Sequence, residues 1–146
     1  MRIAHDALVV VADGRKSLFL RNEGDAEYPN LIVQSHRAHD DPPDRDIKTD
    51  APGRSHSSVG DGRSAFEETD FHQQAEDRFA ADAAERLGRV IQGGGVEQLI
   101  VIAPPRTLGE LRQHYSKEVS DRIVAEVDKD FTNHPVDKIE QALKAL

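Results

Sequence analysis

Two short runs constrain this chain more than anything else in it. Ala7-Leu8-Val9-Val10-Val11-Ala12 and Leu99-Ile100-Val101-Ile102-Ala103 are continuously apolar and rich in β-branched residues. A strand with one wet face alternates apolar and polar side chains, whereas a strand covered on both faces does not. Both runs therefore predict central strands of a sheet with a layer on each side. Asp13-Gly14 after the first run predicts a two-residue hairpin, because both residue types tolerate φ > 0. A second strand is expected over Lys16–Arg21, carrying Leu18, Phe19 and Leu20. After a turn at Asn22-Glu23-Gly24-Asp25, a third is expected over Tyr28–His36, anchored by Leu31-Ile32-Val33.

Phe71, Ala75, Phe79, Ala83, Leu87 and Ile91 recur every fourth position, with Ala80, Ala84 and Val90 beside them. That stripe predicts an amphipathic helix opened by Asp70 as N-cap and closed by Gly93-Gly94-Gly95. The glycines read as a helix stop, since a phosphate loop needs a strand before it. Pro104-Pro105 end the second apolar run. Thr107 and Glu110 then have capping-box spacing, with Thr107 as N-cap of a helix reaching about His114 and a break near Ser116. Ile123–Val127 is the last strand, and Pro135 opens a helix with Ile139, Leu143 and Leu146 on one face.

The order is three strands, helix, strand, helix, strand, helix. It is the connectivity of a three-layer α/β domain of ribonuclease H-like type: a mixed five-strand sheet ordered 3-2-1-4-5, strand 2 antiparallel, with a right-handed crossover joining the two buried strands. A chain of 146 residues makes one domain, spanning 1–146. Between Arg37 and Asp70 stand nine acids, five Lys or Arg and three of the seven prolines, with only Ile47, Val59 and Phe66 as large apolar residues. Such a stretch buries too little surface to offset its ordering entropy, so it reads as a long polar loop at about 37–70.

Composition excludes several classes of function. The net charge of −8 argues against a general nucleic-acid coat, although not against a local basic patch. Without cysteine there are no disulfides, zinc ribbons, iron–sulfur clusters or thiol catalysis. No apolar run approaches the roughly 18–20 residues of a membrane span, and the start is too short and acidic for a secretory signal. The expectation is a cytoplasmic protein without membrane contact.

A two-metal nuclease on this fold needs carboxylates gathered near the first and fourth strands. The first strand has no acid between Asp6 and Asp13, and the fourth ends in Ala103-Pro104-Pro105. Glu67, Glu68, Asp70, Asp128 and Asp130 are scattered. His36, His39, Asp40 and Asp41, with His56 farther on, are plausible zinc or manganese ligands by type, yet their spacing matches no metal motif. Ser55, Ser57 and Ser58 lack a nucleophile elbow. Arg106 and Arg112 flank the helix after the fourth strand, where open α/β sheets bind ligands. Lys129 between Asp128 and Asp130 reads as a solvated local pair.

Four segments together carry a resemblance over nearly the whole chain. They are Ala12-Asp13-Gly14-Arg15, Pro52-Gly53-Arg54-Ser55, the stretch Ala103-Pro104-Pro105-Arg106-Thr107-Leu108-Gly109-Glu110-Leu111-Arg112, and Asp128-Lys129-Asp130-Phe131-Thr132. In this order they resemble the bacterial host-attachment protein family. That family is similar in turn to the middle domain of archaeal and eukaryotic class I release factors and of the Pelota rescue factor, which implies the ribonuclease H-like topology. Release-factor domains trigger peptidyl-tRNA hydrolysis through a Gly-Gly-Gln tip. The motif is absent here, since Gly94-Gly95-Val96-Glu97-Gln98 is neither that tripeptide nor placed before the long helix.

Placement and the resemblance together suggest a non-enzymatic protein that meets the ribosome, an RNA or another protein without releasing peptide. Nothing in the chain looks like an adhesin, with no export signal, repeat array or disulfide scaffold, so an effect on attachment reads as indirect. Asp13, Arg15, Arg54, Arg106 and Arg112 are the expected contacts, and no cofactor is expected. The alternative is a metal-dependent hydrolase or nuclease using His36, His39 and Asp40. The oligomeric state is not legible.

Overall fold

In the computed structural model, residues 1–39 and 65–146 are described, with the backbone alone for 65–70. Three strands open the chain: β1 (Leu8–Ala12), β2 (Lys16–Asn22) and β3 (Leu31–Ala38). Helix α1 (Ala65–Gln92) follows, then β4 (Leu99–Ile102), α2 (Pro105–His114), α3 (Lys117–Arg122), β5 (Ile123–Val127) and α4 (Val136–Lys144). The strands form one open mixed sheet in the order β3-β2-β1-β4-β5. β2 runs antiparallel to β1 and β3, while β1, β4 and β5 are mutually parallel.

The two apolar runs lie side by side at the centre, Leu8 opposite Leu99 and Val11 opposite Ile102. Their side chains divide between two cores. Leu8, Val10 and Ala12 join Leu99, Val101 and Ala103 against α1, α2 and Val119 of α3. Val9 and Val11 join Ile100 and Ile102 against Ile139 and Leu143 of α4, with Ile3 and Phe131. Helices on both faces are thus the physical reason the runs do not alternate. In α1 the stripe holds from Ala80 to Ile91. Phe71, at the other end of that helix, is 61% exposed.

Several local details differ from the sequence reading. Helix α1 already includes Ala65, so Asp70 is an interior residue and not its N-cap. Helix α2 begins at Pro105, with Pro104 as N-cap and no side-chain cap, so Thr107 stands inside the first turn. Proline presets the helical φ and has no N–H to satisfy, so it opens the helix two residues before the Thr–Glu pair. The β1–β2 hairpin turns at Gly14-Arg15 without positive φ. There the Asp13 carboxylate accepts the N–H groups of Arg15 and Lys16, both at 2.7 Å. Gly14 serves close approach instead: a Cβ there would sit 2.8–2.9 Å from the Glu76 side chain of α1.

Strand β3 starts at Leu31, because Asp25 takes Glu27 and Tyr28 into a turn. Gly94 and Gly95, at φ of 86° and 88°, end α1 as the helix stop expected. Ser116 caps α3, as the break near it requires. At the amino edge Asn22 is fully buried. Its amide donates to Ile3 and Ala4 carbonyls and accepts from Gly24 and Asn30 N–H, pinning the N-terminal segment to the β2–β3 turn. Among the described residues no helix is long and apolar enough to cross a membrane.

Candidate functional site

Parallel strands discharge their chains at one edge of a sheet, and here that edge receives three of the four segments singled out in the sequence. β1 runs out into Asp13-Gly14-Arg15, β4 into Ala103-Pro104-Pro105-Arg106, and β5 into Asp128 to Thr132. A bond from Ala103 N–H to the Val127 carbonyl, 3.0 Å, carries the β4–β5 pairing into this region. The remaining segment, Pro52 to Ser55, lies outside the described residues, as does Asp40.

The first and last of these segments are bonded directly. Thr132, 6% exposed, has its hydroxyl oxygen 2.8 Å from Asp13 Oδ2 and 2.7 Å from Asp130 Oδ1. One hydroxyl carries one proton, so it serves one carboxylate at a time. Asp130 also accepts the Thr132 N–H at 3.1 Å, and Lys16 Nζ donates to Asn133 Oδ1 at 2.8 Å. The β1–β2 turn is thereby tied to the loop before α4, 119 residues away in sequence. Asp13 is committed to this architecture through both of its oxygens.

The first and third segments form one wall of a cleft of about 280 Å³. Asp13, Gly14 and Arg15 come from the hairpin, Pro104, Arg106, Thr107 and Glu110 from α2 and the residue before it. The opposite wall is Gln73, Glu76, Asp77 and Ala80 of α1. Those positions have i, i+3, i+4, i+7 spacing, which puts them on one helix face. Asp77 accepts from the Gln73 amide at 2.9 Å, and Glu110 pairs with His114 one turn on, at 3.2 Å. Arg15 and Arg106 are exposed, and among the described residues their guanidinium groups have neither a hydrogen bond nor an ion pair.

Asp13, Arg15 and Arg106 are thus brought together, while Arg112 is not part of the cleft. Its Nε and Nη2 reach Glu126 Oε1 on β5 at 3.0 and 2.7 Å. That pairing holds the Arg112 guanidinium even more firmly charged than usual. Six residues along a helix is about 240° around it, which turns Arg112 away from Arg106. The hydroxyl of neighbouring Tyr115 is buried with no hydrogen-bond partner among the described residues. Burial in the first place, and the Glu126 charge in the second, push its pKa above the ordinary tyrosine value. Lys129 is exposed and forms no ion pair with its acidic neighbours among the described residues, so the local pair expected there does not form.

His36 and His39 address opposite faces. His36 stands opposite Leu18, which packs on the α4 side of the sheet. The His39 ring lies 6.2 Å from the Phe79 ring of α1, on the other side. Among the described residues no three His, Cys, Asp or Glu side chains are grouped as metal ligands. The acidic α1 wall was absent from the sequence reading. Its helical spacing was visible, but nothing in sequence says which strand end that face meets.

No curated protein matches the chain. A family profile described as bacterial archaeo-eukaryotic release factor family 12 matches residues 6–143. With that match spanning all five strands and the long helix between them, the chain belongs to bacterial archaeo-eukaryotic release factor family 12.

Proposed function

We propose that this chain is a cytoplasmic, non-enzymatic domain of ribonuclease H-like type that associates with the translation machinery through RNA, without releasing peptide. Membership of a release-factor family supports the translation link. The missing Gly-Gly-Gln tripeptide supports the absence of peptide release. Any effect on host attachment is indirect on this reading, through protein synthesis.

One observation carries the proposal. Three separately placed segments of the resemblance meet at the carboxyl edge, where Arg15 and Arg106 stand unpaired at the rim of a cleft. Unpaired guanidinium groups at a strand edge are the ordinary means of holding phosphate oxygens. A chain with net charge −8 needs its cations placed in this local way to meet RNA at all.

The test is co-sedimentation with ribosomes of the host on gradients at low and moderate salt. The wild-type protein should travel with one subunit or the whole ribosome and survive moderate salt. Arg15→Glu and Arg106→Glu should weaken association and flatten its salt dependence, while a peptidyl-tRNA release assay stays at background. A protein that remains at the top of both gradients rejects the reading.

A further inference from the structure

The cleft has a polarity that phosphate contact alone does not use. One rim carries the guanidinium groups of Arg15 and Arg106, its own carboxylates being engaged, Asp13 by the hairpin N–H groups and Thr132 and Glu110 by His114, while α1 carries the carboxylates of Glu76 and Asp77. Opposite charges that share a cleft ordinarily close onto each other. Here neither arginine pairs with either acid, and Glu76 has no hydrogen-bond partner among the described residues. The Glu76 stem lies against Gly14 of the hairpin. Asp77 is steadied by Gln73. The two arginines and the two acids of α1 thus line one cleft of about 280 Å³ without closing onto each other.

A ligand that satisfies both walls has an anionic group at one end and a row of N–H donors at the other. An inorganic ion supplies only the anionic half of such a ligand, whereas a nucleotide carries both an anionic phosphate and a base edge with N–H donors. From this geometry we infer that the cleft receives a single unpaired nucleotide of an RNA strand, its phosphate on Arg15 and Arg106 and its base on Glu76 and Asp77. Carboxylates accept and cannot donate, so they select bases by their donor edges. Guanine offers adjacent N1–H and N2–H donors that suit one carboxylate through both oxygens. Uracil offers a single N3–H between two carbonyl groups, whose lone pairs the carboxylates would repel. The cleft therefore favours guanine over uracil. Among the described residues its walls hold no aromatic ring, so recognition rests on the base edge and not on stacking.

This inference rests on the RNA reading of the same edge, and its test separates the two. Titrate the intact chain by calorimetry with 5′-GMP, 5′-UMP, guanosine and inorganic phosphate. 5′-GMP should bind about tenfold tighter than 5′-UMP or more. Guanosine and phosphate should each bind more weakly than 5′-GMP, as the two halves of one ligand. Arg106→Glu should weaken both nucleotides alike. The double variant Glu76→Gln, Asp77→Asn should retain phosphate binding and lose the preference for guanine, with thermal melts confirming that each variant is folded.

Equal affinities for 5′-GMP, 5′-UMP and phosphate would overturn the inference, as would no binding, or a preference that persists in the double variant. If ribosome co-sedimentation survives while the nucleotides fail, the inference falls alone. If 5′-GMP binds with the predicted preference while the ribosome is not bound, the translation reading falls and the nucleotide cleft stands.

Discussion

Replacing Thr132 with valine tests the tie between two strand ends directly. The hydroxyl is buried and lies between Asp13 Oδ2 and Asp130 Oδ1. A hydrogen bond to a charged group contributes about 1.5–3 kcal/mol net. Neither carboxylate is stranded by the change: Asp13 keeps the N–H groups of Arg15 and Lys16, and Asp130 keeps that of Thr132 itself. The loss therefore falls toward the lower end of that range. Valine adds a methyl where the oxygen contacts of 2.7 and 2.8 Å leave no room for carbon. A small repacking cost follows, so Thr132→Val should destabilise by about 1.5–2.5 kcal/mol and lower the melting temperature by about 4–8 °C. Urea unfolding followed by circular dichroism should show a lower midpoint with an unchanged slope. Combining Thr132→Val with Asp13→Ala should give a coupling of about 1 kcal/mol, because both changes remove the same bond. A shift under about 0.3 kcal/mol, or strictly additive effects, would refute the claim that this hydroxyl joins the two segments.

Further outcomes follow from other groups. Asn22→Ala leaves the Gly24 and Asn30 N–H groups and the Ile3 and Ala4 carbonyls without their partner, and should cost about 3 kcal/mol or more in the same urea experiment. Gly14→Ala brings a methyl into the Glu76 stem, Cβ included, so α1 must shift; a melting temperature equal to wild type would contradict that contact. Tyr115→Phe removes a buried hydroxyl with no partner among the described residues, and should be neutral or stabilising by up to about 1 kcal/mol. Because the folded state holds the Tyr115 proton more tightly than the unfolded chain, ionisation favours unfolding as pH rises past about 10. Wild type should therefore lose stability there faster than Tyr115→Phe, and identical alkaline unfolding curves would refute the burial argument.

How far the sequence could be read depended on whether a feature was local. β1 and β4 announced themselves because burial on both faces leaves no polar position in either run. The glycine stop of α1 and the break near Ser116 are local features of backbone geometry, and both hold, the break proving to be the Ser116 cap of α3. The start of α2 is equally local, but two rules competed: the Thr107–Glu110 spacing suggested a capping box, and Pro105 at the first helical position prevailed. The Asp70 boundary was misplaced because a good N-cap residue is also tolerated inside a helix whose neighbours favour helix.

At the site, Asp13, Arg15 and Arg106 could be grouped because parallel strands deliver their following residues to one edge. Arg112 was grouped with them by proximity in sequence, whereas its place on the helix carries it to Glu126. The bond from Thr132 to Asp13 and the acidic α1 wall depend on segments far apart in the chain. Neither periodicity nor spacing reports on such contacts.

The measurement that bears most directly on the functional account uses the absence of native cysteine. Single cysteines are placed at Thr107, which lines the cleft at the carboxyl edge and is not one of the proposed contacts, and at Glu97, on the rim of the separate hollow formed with His5 and Asp6. Each is labelled with the same short photo-activated cross-linker and irradiated with ribosomes of the host. The account predicts cross-links to ribosomal RNA from position 107 and none from position 97. Cross-links from position 97 alone, or from neither, would contradict the claim that the carboxyl edge is the contact surface.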